Sequence, residues 1–181
     1  MIFEYSLDKN DFLMHQLYSA SKSEHIKKRR QRNKILISIL YIVLGLYFWL
    51  SKDFISAWVF IFFGILWFFF FPMWEKRRYI NHFKAHINEH YKGRLGKNAI
   101  VNFENDFITE KVENSESKIS TDELKEIYEI PAVLLIKLKT GQSLIIPKNK
   151  IKNLLELTNW LKQLSFKLNI PYIVDDKWKW K

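Results

Sequence analysis

ILISILYIVLGLYFWL at residues 35–50 and FISAWVFIFFGILWFFFFPMW at residues 54–74 are two uncharged apolar runs separated only by Ser51, Lys52 and Asp53. As helices rising roughly 1.5 Å per residue they reach about 24 and 31 Å, against a hydrocarbon slab about 30 Å thick. A soluble helix needs a polar stripe for water, yet Ser56 is the only clearly polar side chain of the second run, and no helical phase offers such a stripe. At about −0.3 to −0.6 kcal/mol for each Phe, Ile, Leu or Val, insertion of the two runs sums to roughly −3 to −7 and −4 to −8 kcal/mol. The pattern predicts a membrane helical hairpin. The first run is somewhat short, a mismatch that tilt or snorkelling of Arg32 and Lys34 accommodates. Tyr47, Trp49, Trp58 and Trp74 sit where headgroup-level rings are expected, and Gly45 and Gly64 permit close helix packing.

Working outward, the formal net charge of +10 resolves into +6 over residues 22–34, +5 over residues 75–97, −2 over residues 1–21, zero in the hairpin and +1 over residues 98–181. The basicity therefore belongs to the flanks of the hairpin. By the positive-inside rule both termini are cytoplasmic and the turn at residues 51–53 faces outward. The opening residues, with Glu4, Asp8 and Asp11, lack a signal-peptide pattern, and the absence of cysteine fits a reducing compartment.

At the N-terminus Phe3, Tyr5 and Leu7 alternate with Glu4 and Ser6, predicting a half-buried strand, and Asp8 with Asp11 predicts a capped helix from about Lys9. That helix presents Leu13, Leu17 and Ala20 on one face and is expected to run on into the first span. Beyond the second span, Tyr79, Phe83, Ile87 and Tyr91 recur at helical spacing among cations, predicting an amphipathic juxtamembrane helix that stops near Gly93 and Gly96. From Asn98 the period changes to two. Strands are expected at residues 98–103, 107–112, 118–120, 125–130, 133–138 and 143–146, with turns at residues 104–106, Asn114-Ser115, Pro131 and residues 140–142. Pro147 closes the sheet and Asn149 is expected to cap a helix whose stripe is Ile151, Leu154, Leu155, Thr158, Leu161, Leu164 and Leu168.

The expected organisation is an α+β membrane protein. It comprises an N-terminal strand and helix with a basic flank (residues 1–34), a transmembrane helical hairpin (35–74), a basic juxtamembrane helix and loop (75–97), a small β-sheet domain capped by a C-terminal helix (98–170) and a tail (171–181).

Three stretches carry a family resemblance: the basic run Lys27-Lys28-Arg29-Arg30-Gln31-Arg32-Asn33-Lys34, Glu75-Lys76-Arg77-Arg78-Tyr79 after the hairpin, and Ile145-Ile146-Pro147-Lys148 before the final helix. On these the chain resembles the YcxB-like family over nearly its whole length. The resemblance implies a bacterial inner-membrane protein whose two spans precede a cytoplasmic domain of pleckstrin-homology-like fold, a small β-sheet or barrel plugged by a helix. Such a sheet normally has seven strands, so residues 3–7 are expected to supply the one missing from the C-terminal region.

The sharpest enzymatic motif is His86-Ile87-Asn88-Glu89-His90, an H-x-x-E-H string preceded by His82, which matches an inverted zinc-protease pattern. A strongly cationic helix repels a dication, and a small sheet offers no substrate-binding domain. Polar positions on a wet helix are therefore the expectation, with no metal, no cofactor and no catalytic residue, and a zinc-dependent hydrolase ranks last. Residues 93–98 do not make a phosphate loop, since two residues separate the glycines where four are needed. Nucleic acid is not expected either, because half of the aromatics lie in the apolar runs and topology accounts for the charge.

The residues expected to meet anionic lipid headgroups are Lys27, Lys28, Arg29, Arg30, Arg32, Lys34, Lys76, Arg77 and Arg78. The tail Trp178-Lys179-Trp180-Lys181 is expected to touch the same interface. The leading functional expectation is a non-catalytic membrane-anchored module docking a protein partner or lipid headgroups. The alternative is an accessory subunit of an export or envelope-stress complex, bound through the hairpin.

Overall fold

The computed structural model describes residues 1–113 and 115–180. It divides into two compact units, residues 1–16 with 83–179, and residues 17–82 with Trp180.

The first unit is built on period-two sequence. Strand β1 (Ile2–Ser6) precedes the hairpin in the chain, and β2 (Asn98–Phe103), β3 (Phe107–Val112) and β4 (Ser115–Ser120) follow it. The four form an antiparallel sheet in the order β1-β2-β3-β4. The β1–β2 ladder pairs Ile2 with Asn102 and Ser6 with Asn98, and it extends at both ends through Phe103 N to Met1 O at 2.7 Å and Gly96 N to Leu7 O at 2.9 Å. Gly96 has φ of +72°, a conformation in which a Cβ is strained, and so a glycine turns the chain into β2.

Strands β5 (Leu124–Glu129), β6 (Val133–Leu138) and β7 (Ser143–Pro147) begin a second sheet. A short 3-10 turn (Lys148–Lys150) leads to helix α4 (Leu154–Lys167). Tyr5, Val101, Phe103, Ile108, Ile127, Ile136, Ile146, Leu157, Leu161 and Leu164 close one apolar core between sheets and helix. Beyond α4, β8 (Tyr172–Val174) pairs in parallel with β5, giving the order β7-β6-β5-β8.

The second unit holds the second helix from the N-terminus and most of the third. Helix α1 (Lys9–Lys22) stops one residue before α2 (Glu24–Leu50), and α3 (Phe54–His90) follows after a three-residue turn. In that turn Ser51 N donates to Tyr47 O and Asp53 N to Phe48 O, closing α2. Asp53 then accepts from Ser56 N to start α3. Pro72 lies within α3, whose helix continues through it. Helices α2 and α3 are each long and apolar enough to cross a membrane, and only 11% and 17% of their apolar windows are buried. A soluble core helix would be mostly buried, so the exposed greasy surface points to lipid as its solvent.

Where the helices meet, each contributes one glycine at a point of close approach. A Cβ on Gly45 would lie 2.6 Å from Ile61 Cγ1 and 3.2 Å from Ala57 O, and one on Gly64 would lie 3.1 Å from Tyr41 Cβ and 3.2 Å from Ser38 O. Both glycines are needed for the approach of the two backbones.

Several local expectations are corrected. The N-terminal helix does not run into the span: Ser23 interrupts it and caps α2 by accepting from Ile26 N. The expected juxtamembrane helix is present as the last part of α3, continuous with the apolar run because nothing at Trp74 or Glu75 breaks a helix. Strand β4 begins at Ser115 instead of Lys118, and Asn114 of the expected turn lies outside the described residues. Asn149 sits in the 3-10 turn, so α4 starts only after Asn153. The α4 stripe holds at Ile151, Leu154, Thr158, Leu161, Leu164 and Leu168, but Leu157 joins it fully buried and Leu155, 75% exposed, falls outside it. The tail was not expected to hold a strand, yet β8 is one. Three residues are too few for a visible period, and their place is fixed by the β5 edge.

Candidate membrane-surface site

The expected surface cations lie on α2 and α3 of the second unit, and the helix pitch sorts them. Arg30 turns inward. Its Nε donates to Glu75 Oε2 at 2.6 Å, with side chains 19% and 8% exposed, and its guanidinium lies 4.8 Å from the Trp180 ring and 5.9 Å from the Tyr79 ring. Lys34, one turn further on, sits 3.7 Å above the Phe68 ring. These two cations are therefore internal fastenings of the α2–α3 pair, and Arg30 is corrected from surface contact to structural residue. A pair this well covered is strongly coupled, because removal of either partner leaves an uncompensated buried charge.

Lys27 pairs with exposed Glu24 at 2.8 Å, a solvated contact worth little. Lys28, Arg29 and Arg32 are exposed and, together with His25, line a half-open cleft of about 330 Å³. His25 was missing from the expected set because it is neutral in formal charge counting. Its spacing of four and seven residues from Arg29 and Arg32 was the available signal. On α3, Lys76, Arg77 and Arg78 are exposed, with Arg78 5.5 Å from the Trp74 ring. Trp180, expected at the lipid interface, is instead buried, its ring 5.3 Å from that of Tyr79. Lys181 lies outside the described residues.

The His86 and His90 rings stack on each other, centroids 4.3 Å apart, and His90 Nδ1 lies 3.1 Å from the His86 carbonyl oxygen. Among the described residues no group of three or more His, Asp or Glu side chains is placed to hold a metal ion.

The first unit has its own ionic fastening, which the sequence did not announce. Lys150 Nζ donates to Ser6 O at 2.9 Å and to Asp8 Oδ2 and Asp11 Oδ2 at 2.8 Å each. Burial alone lowers the Lys150 pKa, but the hydrogen bonds to Asp11 and Asp8 outweigh it and hold the ammonium above its ordinary range. The Lys150 bond keeps the Asp8 carboxyl below its usual range. Asp8 also caps α1, accepting from Asn10 N and Asp11 N. Nearby, burial pushes up the Tyr5 hydroxyl and the Glu110 carboxyl, and it drops His15 to about 4. At the far edge Glu129 accepts from Tyr172 Oη at 2.7 Å and from Lys148 Nζ at 2.9 Å, tying β8 to β5.

The family model of YcxB-like protein matches residues 103–161. This segment of the chain is YcxB-like. The YcxB-like segment runs from the last residue of β2 into α4 and contains Lys150, while both partner aspartates lie outside it, at the other end of the sequence. No curated protein and no solved structure matches the chain.

Proposed function

We propose that the chain is a non-catalytic, membrane-anchored interaction module of the bacterial inner membrane. In this proposal α2 and α3 form a two-span hairpin, and the first unit is a cytoplasmic pleckstrin-homology-like domain that docks a protein partner or lipid headgroups. One observation carries most of the weight: β1, before the hairpin, pairs residue for residue with β2, after it. Two strands of one ladder have to occupy the same compartment, so the intervening chain crosses a membrane an even number of times. The basic flanks support the cytoplasm as that compartment. Seven antiparallel strands followed by α4 have the order a pleckstrin-homology-like domain requires, with β1 as its first strand.

A chain without cysteine makes the topology directly testable. In intact cells a membrane-impermeant maleimide is expected to label Ser51→Cys in the hairpin turn and not Ser143→Cys in β7, with both labelled after lysis. Equal labelling of the two in intact cells overturns the hairpin.

The docking role is tested by photo-crosslinkers placed at Leu155 or Phe166, exposed on α4, against others at Val59 or Phe62, exposed on α3. Capture from α4 supports a docking module. Capture only from α3 favours the accessory subunit, whose support is the aromatic surface of that helix.

A further inference from the structure

We propose that the cleft lined by His25, Lys28, Arg29 and Arg32 is a binding site for a phosphate group carried on a lipid headgroup. It rests on α2 being a membrane span, and it singles out one site and one ligand class among the basic flanks.

Helix geometry separates this set from its neighbours. His25, Lys28, Arg29 and Arg32 stand at i, i+3, i+4 and i+7 and share one face of α2. Arg30 and Lys34 fall on the opposite face and are already engaged, by Glu75 and by the Phe68 ring. The helix thus spends its inward cations on its partner helix and leaves the outward ones gathered around a concavity. Its volume of about 330 Å³ lies at the small end of ligand sites, suited to a compact headgroup. Two guanidiniums offer paired N–H donors to phosphate oxygens, the Lys28 ammonium adds a point charge, and the positive end of the helix dipole lies at the same end of α2.

Depth assigns the anion to a lipid. Arg32 precedes the first apolar residue, Ile35, by about 4.5 Å of helix, Arg29 by about 9 Å and His25 by about 15 Å. A headgroup layer is about 5 to 8 Å deep on each side, so Arg32 meets phosphates in its outer half, Arg29 stands at its outer edge, and Lys28 and His25 reach groups that project beyond it. The other basic flank lacks this convergence. Lys76, Arg77 and Arg78 are consecutive, so they diverge by about 100° per residue around α3 and do not point at a single anion.

The test uses the full chain in nanodiscs of phosphatidylcholine doped with phosphatidic acid, with bound lipid counted by native mass spectrometry. Two triple variants remove the same charge: Lys28→Gln/Arg29→Gln/Arg32→Gln and Lys76→Gln/Arg77→Gln/Arg78→Gln. The first is expected to lose at least about tenfold in phosphatidic acid affinity and the second no more than about twofold. Equal losses overturn the site while leaving the membrane anchor standing, since both flanks then act as a diffuse field. Escape of the chain from the discs overturns the anchor itself. A second arm adds inorganic phosphate to discs of phosphatidylcholine alone and then to the doped discs. No retention of phosphate, and no displacement of lipid, supports the lipid source, whereas displacement of phosphatidic acid overturns it in favour of a soluble phosphate. The variant Arg29→Lys/Arg32→Lys keeps the charge and guards against misfolding; it is expected to show an intermediate affinity, and wild-type affinity there overturns the role of the paired donors.

Discussion

Replacing Lys150 with methionine tests the fastening that makes the N-terminal strand part of the C-terminal domain. The ammonium holds Ser6 O, Asp8 and Asp11, and the Asp11 side chain is only 7% exposed. Asp8 is more than half exposed and rehydrates at little cost once its partner is gone, whereas Asp11 is left desolvated without a counter-charge. Breaking a buried pair costs about 3–5 kcal/mol and an exposed one about 0–1. With Lys150 itself a quarter exposed, the expected loss lies between these limits, about 2–3 kcal/mol. For a chain of this size each kcal/mol moves the unfolding midpoint by about 2–4 °C, so thermal unfolding of the full chain in mild detergent is expected to fall by about 4–12 °C. Hydrogen exchange at the amides of β1 is expected to accelerate by about 30- to 150-fold, because those strands lose protection before the rest of the sheet. Asp11→Asn added to Lys150→Met removes the stranded charge and is expected to recover more than half of the loss. Unchanged exchange in β1, or a double variant no better than Lys150→Met alone, refutes the fastening.

Other consequences follow from the same physics. The carboxyl of Asp8 is held below its usual range, so the stability it contributes is complete above the ordinary carboxylate pKa and is lost as pH falls through its lowered folded value; Asp8→Asn is expected to flatten that acid limb in denaturant titrations. His15, brought from 6.5 to about 4 chiefly by burial, also binds its proton more readily unfolded, and it is expected to remove at most about 3 kcal/mol between pH 6.5 and 4, a loss that His15→Phe abolishes. Glu110 has the opposite sign: burial raises its pKa, so its charge costs stability at neutral pH, and Glu110→Gln is expected to raise the neutral-pH midpoint while changing nothing below the carboxylate range. Gly45→Val puts a Cβ 2.6 Å from Ile61 Cγ1 and is expected to cost about 1–3 kcal/mol of hairpin stability in detergent unfolding. Tyr172→Phe deletes the hydrogen bond to Glu129 and is expected to cost about 1 kcal/mol and to speed exchange in β8.

What was legible in advance was whatever depends on composition along the chain. Two uncharged runs announce lipid-compatible helices because every backbone polar group is satisfied within a helix and no side chain asks for water. Period two from Asn98 announces strands because alternate residues face opposite sides of a sheet. Asp8 as a cap and Gly96 as a turn were visible because each acts on its nearest neighbours.

The sequence by itself thus determined the helices, most of the strands and the placement of the charges, all of which follow from forces acting within a few residues. The expectation that residues 3–7 complete the C-terminal sheet is met, but the fold alone decided that β1 pairs with β2 and in which register, that Arg30 faces Glu75 while Arg29 and Arg32 face a cleft, and that Lys150 gathers two aspartates from the other end of the chain. A charge in a sequence has no direction. Whether it meets solvent, lipid or a buried partner is set by the helix phase and by packing between distant segments, and neither has a local signature.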